Sequence, residues 1–145
     1  MDGSINPGII MEYLIGFLLA LGICTGSTAI GFDRDRSFYP TILIVIAFLY
    51  ALFALIAGST QALLAEFLPI VLFVLAAVTG FKKRLWWVAG GLIAHGVFDF
   101  VHPRLIQNPG VPPWWPGFCM TYDVIAGVYL AYLIKRRRIP LESRS

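Results

Sequence analysis

The chain has 145 residues, of which 59% are hydrophobic and 13% charged, and its mean hydropathy is +0.80. An ordinary globular chain carries roughly a quarter charged residues, so a water-soluble domain is excluded and one integral membrane domain over residues 1–145 is expected. The formal charge of +3 comes from clusters at the ends of apolar runs, where basic residues set topology, so the partners expected are membrane lipids and no nucleic acid.

Five apolar segments follow one another, each near the roughly 20 residues a helix needs to cross the hydrocarbon. The first covers residues 9–30. Its leader, MDGSINPG, has no positive charge and no small-residue cleavage site follows the run, so an uncleaved helix is expected. Gly22 and Gly26 offer a small-xxx-small face for a neighbouring helix. The second, residues 39–57, has Pro40 in its first turn and no charge, and reads as the best lipid-facing candidate. The third covers residues 61–81 and contains Glu66 and Pro69. The fourth covers residues 85–101 and the fifth residues 114–134. Cys24 and Cys119 lie in apolar segments and read as small buried hydrophobes.

Arg34 and Arg36, Lys82 to Arg84, and Lys135 to Arg138 all fall on one side of five crossings, with Arg104 alone on the other. The positive-inside rule then puts the N-terminus outside and the C-terminus in the cytoplasm of a cell-membrane protein. Trp86, Trp87, Trp114 and Trp115 start the fourth and fifth segments, as interface anchors do.

Against this background the ionisable residues stand out. His95, Asp99 and His102 are spaced i, i+4 and i+7 and share one helix face. At 1.5 Å rise per residue, His95 lies about 15 Å from the start of its segment, near the midplane. Asp123 reaches roughly the same level from the opposite direction, about 13 Å into its own segment. Glu66 is about 7 Å and Glu12 about 5 Å inside the outer ends of theirs. All fall in the outer half and none in the inner half. Three lone ionised carboxylates (Glu66, Asp99, Asp123) would cost on the order of 8–10 kcal/mol in hydrocarbon, so they must be neutralised as a set.

Protons, the imidazoles, a bound cation or a water-filled cavity would each do so. A divalent metal such as zinc, iron or manganese suits imidazole and carboxylate ligands, and His95, Asp99, His102 and Asp123 are the candidate ligands. An open coordination position would activate water, with Asp123 or Glu66 as catalytic base. Cys119, one turn from Asp123, is a further soft ligand in the same neighbourhood. Two other readings stay open: a proton or ligand pathway, and a structural hydrogen-bonded network completed by Thr121 and Tyr122.

At HGVFDFVHPRLIQNPGVPPWWPGFCMTYD, with GFDRDRSFYPTILIVIAF upstream, the chain resembles a family of small bacterial and fungal integral membrane proteins classed only as a domain of unknown function. That resemblance covers nearly the whole chain, implies a five-helix membrane protein and brings no activity with it. His95-x3-Asp99 is also similar to part of the pattern of the membrane hydrolases that include alkaline ceramidases and adiponectin receptors. Those build an intramembrane zinc site from one Ser, one Asp and three His; this chain departs in having two histidines and fewer helices. PPWWPGFCMTYDVIAGVYLAYL is similar to an aromatic segment of the five-helix tryptophan-rich sensory proteins, where it precedes a middle helix instead of the last.

The expected architecture is all-α, a single five-helix transmembrane bundle, with Gly90-x3-Ala94 and Gly127-x3-Ala131 letting the last two helices meet closely. The expected function is that of a metal-dependent membrane enzyme acting on a lipid-like or isoprenoid substrate. The alternative is a small transporter or ligand-binding protein that uses the same cluster for protons or a cation. A polar route through both halves would separate the two.

Overall fold

A computed structural model describes residues 7–139; the expectations for the leader and for the end of the chain fall outside the described residues. Among them the protein is all-helical: α1 Pro7–Ile30, a 3-10 turn Phe32–Arg34, α2 Phe38–Ile56, α3 Thr60–Lys82, α4 Trp86–Leu105 and α5 Trp115–Lys135. Helices α1, α2, α3 and α5 are long and apolar enough to cross a membrane. α4 has the length, but His95, Asp99, His102 and Arg104 lower its hydropathy.

Local chemistry explains the boundaries. Ser59 caps α3 by accepting the Ala62 N–H at 3.2 Å. Gly31 (φ 93°) and Gly58 (φ 64°) turn the chain in the left-handed conformation just beyond α1 and α2. Asp35 accepts the backbone N–H and the hydroxyl of Ser37, both at 2.8 Å, and these bonds hold its carboxyl below the usual carboxylate range. α4 runs four residues past its expected end, through Pro103. The Ile106 N–H closes that last turn on the His102 carbonyl at 2.9 Å, which keeps His102 on the helix. α3 likewise continues through Pro69, so the Ala65 carbonyl lacks its helical donor beside Glu66.

α4 and α5 form the most extensive pair, α1 packs on α5, α2 on α3, and α3 on α4, with a smaller α2–α4 contact. Two glycines set the α4–α5 approach. A Cβ at Gly96 would lie 2.8 Å from Val124 and 2.9 Å from the Met120 carbonyl; at Gly127 it would lie 2.7 Å from Ile93 and 2.9 Å from the Ala89 carbonyl. Gly127 acts as expected and Gly90 does not: nothing lies within 4 Å of its Cβ position. Gly22 and Gly26 are equally open, and α1 meets α5 at Gly16, against the Phe118 carbonyl. Small residues four apart define a face, but helix rotation decides which face is used. α2 also differs from expectation. It is no simple lipid-facing helix, since Tyr39, Leu43, Ile46, Ala47, Tyr50 and Ala54 form a buried stripe at helical spacing.

The basic residues gather at one end of the bundle. There Arg36 donates to the carbonyls of Gly80, Phe81 and Lys83 at 3.0, 2.7 and 2.8 Å, tying the start of α2 to the end of α3. At the opposite end Asn108, in the α4–α5 loop, donates to the Tyr50 carbonyl at 3.0 Å.

Candidate functional site

Glu66, His95, Asp99, His102 and Asp123 are all 0–1% exposed. α4 contributes the two histidines and Asp99 from one face, α5 brings Asp123 against it, and α3 brings Glu66. They form two linked groups. In the first, His95 Nδ1 faces Asp123 Oδ2 at 2.7 Å and Asp99 Oδ2 at 3.2 Å. In the second, His102 Nε2 faces Glu66 Oε1 at 2.7 Å, and Asn108 Nδ2 donates to the same oxygen at 2.9 Å.

Tyr50 of α2 joins them. Its hydroxyl donates to Asp99 Oδ1 at 2.7 Å, while its ring stacks on His102 with centroids 4.0 Å apart. Two carboxylate oxygens remain buried without a partner, Asp123 Oδ1 and Glu66 Oε2. A buried acceptor left unsatisfied costs its desolvation penalty, about 1–3 kcal/mol and more for a charged group, so both mark places where a proton or cation would be held.

One ligand atom each from His95, Asp99 and Asp123 lie within 4.8 Å of one another. A tetrahedral ion with ligands at about 2.0–2.1 Å needs its donors roughly 3.3 Å apart; the His95–Asp99 contact at 3.2 Å matches that spacing, and the His95–Asp123 contact at 2.7 Å would have to open by about half an ångström. The charges fit. Asp99 and Asp123 bring two negative charges, matched by a divalent ion beside neutral His95, or by two protons distributed over the three groups. Tyr50 fixes Asp99 through its second oxygen, as the outer partners of metal-ligating carboxylates do.

His102, expected as a ligand with His95 and Asp99 from the same helix face, is not in this group and pairs with Glu66. It lines a cleft of about 630 Å³ at the loop end of the bundle, with Gln61, Gln107, Asn108 and the prolines of residues 103–116. None of His95, Asp99 and Asp123 lines that cleft. Thr121 donates to its own helix at Gly117 and Tyr122 stacks on Phe118, so the role expected of them falls to Tyr50 and Asn108. One signal for Tyr50 was present: Tyr39 and Tyr50 lie eleven residues apart, three turns along one face. Cys119 is buried filler. Glu12 lies apart from the cluster, its carboxylate filling the space above Gly117 at the start of α5.

The half nearer the basic end is not free of ionisable groups. Asp33, in the 3-10 turn after α1, is 3% exposed. Thr28 is hydrogen-bonded to it, and the Tyr129 hydroxyl lies 2.8 Å from the Thr28 hydroxyl. Thr28 has one proton to give, so the order that satisfies all three is Tyr129 to Thr28 to Asp33. Leu43, Leu92, Ala126 and Leu130 form an apolar layer in the core, and from Asp123 to Tyr129 is about 9 Å along α5.

No protein-family model, curated protein or solved structure matches the chain.

Proposed function

We propose that this is a five-span membrane protein with its basic end in the cytoplasm, and that it binds a divalent cation at His95, Asp99 and Asp123 in exchange for protons. α4 is the fifth crossing: His95, Asp99 and His102 face α2, α3 and α5 and are sealed from lipid, and the exposed Arg104 lies in its last turn. The observation that carries the reading is the convergence of three sealed ligand atoms beside the unpartnered Asp123 Oδ1. Electroneutrality in low dielectric then requires either two protons or one divalent ion. His102 and Glu66 stand between the cluster and the cleft, and would pass ions or protons inward. The part-buried Tyr129–Thr28–Asp33 file supports carriage over a dead-end pocket, because it supplies polar groups in the other half.

The other reading, a metal-dependent enzyme for a lipid-like or isoprenoid substrate, draws on an apolar groove of about 420 Å³ lined by Leu19, Val45, Trp115, Phe118, Cys119 and Tyr122. Asp123 follows Tyr122 in sequence, yet it is 0% exposed, so a substrate in that groove would not touch it without movement of α5.

Calorimetric titration of detergent-purified protein with zinc, manganese and iron(II), in buffers of differing ionisation enthalpy, tests the proposal. One ion per chain and release of about two protons are expected, with binding abolished in His95→Ala and Asp123→Asn. Well under one ion per chain for all three metals would overturn it.

A further inference from the structure

A second groove, of about 670 Å³, follows the α3–α4 face from the basic end and is lined by Phe73, Ala76, Arg84, Trp86, Trp87 and Gly90 among others. Its wall is apolar except at the mouth, where Arg84 is exposed and enters none of the ion pairs among the described residues. The open position above Gly90, which failed to bring α4 onto α5, forms part of this groove. From Trp86, where α4 begins, to Ala94, the far lining residue on it, is about 12 Å along the helix. Trp86 and Trp87 are 49% and 59% exposed, at the level where indoles meet head groups.

We infer that this groove holds one anionic phospholipid, its phosphate on Arg84 with Lys83 adjacent, and one acyl chain lying over Gly90 toward Phe73. Three features select this occupant. The mouth is a guanidinium, which matches phosphate geometry. The body is apolar and covers most of the depth of half a bilayer core, about 15 Å. The remaining basic residues at this end favour a negative head group over a zwitterionic one. At the far end of the groove, Phe73 meets His95 edge-on with centroids 4.6 Å apart. Bound tail and buried cluster thus share one side chain, although lipid binding itself does not depend on a metal at His95.

Native mass spectrometry of the full chain, released from detergent with equal amounts of phosphatidylglycerol and phosphatidylcholine, tests the assignment. Preferential retention of one phosphatidylglycerol is expected. Arg84→Gln lowers that preference about fivefold. Gly90→Leu fills the groove and lowers retention of both lipids, while Lys135→Gln, remote from the groove, changes neither. Equal retention of the two lipids by the wild type, or an Arg84→Gln protein indistinguishable from it, would leave only a general lipid annulus and overturn the inference. Arg84 is an exposed residue, so its variant folds and the result is readable even if Gly90→Leu does not.

Discussion

The Tyr50 hydroxyl donates to Asp99 Oδ1 at 2.7 Å, a bond from α2 to α4 that couples both acid–imidazole groups through one aromatic ring. Removing the hydroxyl leaves Asp99 Oδ1 buried without its donor. Tyr50→Phe keeps the stacking on His102, so it is expected to cost about 1–3 kcal/mol of stability and to weaken metal binding by about 10–100-fold. Thermal unfolding and metal titration of the same preparation check this. Unchanged metal affinity would remove Tyr50 from the site.

Proton competition gives the pH dependence. If the metal-free cluster holds two protons and the metal displaces both, protons favour the metal-free form. Apparent affinity should then fall about 100-fold for each unit of pH lowered, over the range where both protons are held. A slope near one would mean that the metal-free cluster gives up a single proton when the metal binds. A chelator should lower the unfolding temperature at neutral pH, and the difference should vanish in acid.

The α4–α5 contact predicts a contrast among glycines. Gly96→Ala and Gly127→Ala place a methyl group under 3 Å from neighbouring atoms, backbone carbonyls included, and should cost about 1–3 kcal/mol each. Gly22→Ala and Gly90→Ala meet open space and should leave stability unchanged or raised. Thermal unfolding in one detergent compares all four, and equal losses would contradict the packing described.

Orientation can be read with an impermeant maleimide on intact cells. Cys24 and Cys119 are 0% and 3% exposed, so background labelling is low. Gln107→Cys, in the loop of the cleft, should label from outside, and Lys83→Cys only after permeabilisation. Labelling of both from outside would mean that α4 does not cross.

The helices were legible because an apolar run of about twenty residues has few other uses, and the α4 face was legible because i, i+4 and i+7 converge in any helix. Asp123 could be matched to His95 by depth alone. What depth could not supply was rotation. Glu66 and Asp123 were both in reach of the α4 face, and only the turn of α3 and α5 about their axes gives His102 to one and His95 to the other. Rotation also exchanged Gly90 for Gly96 and moved α2 from the lipid into the core. Asp33 did not stand out in the sequence, because the hydrophilic run GFDRDRSF hides the acid that is hydrogen-bonded to Thr28.

The pairing of α1 with α5, the first helix with the last, bears on how the protein is made. If α4 crosses the bilayer as proposed, then until α5 follows it α1 has no extensive partner, and His95 and Asp99 stand without Asp123. The nascent four-helix intermediate therefore carries its most polar helix uncovered. Every chain passes through that stage, and a chain that stops before residue 115 remains there, recognisable to membrane quality control by the unsheathed α4.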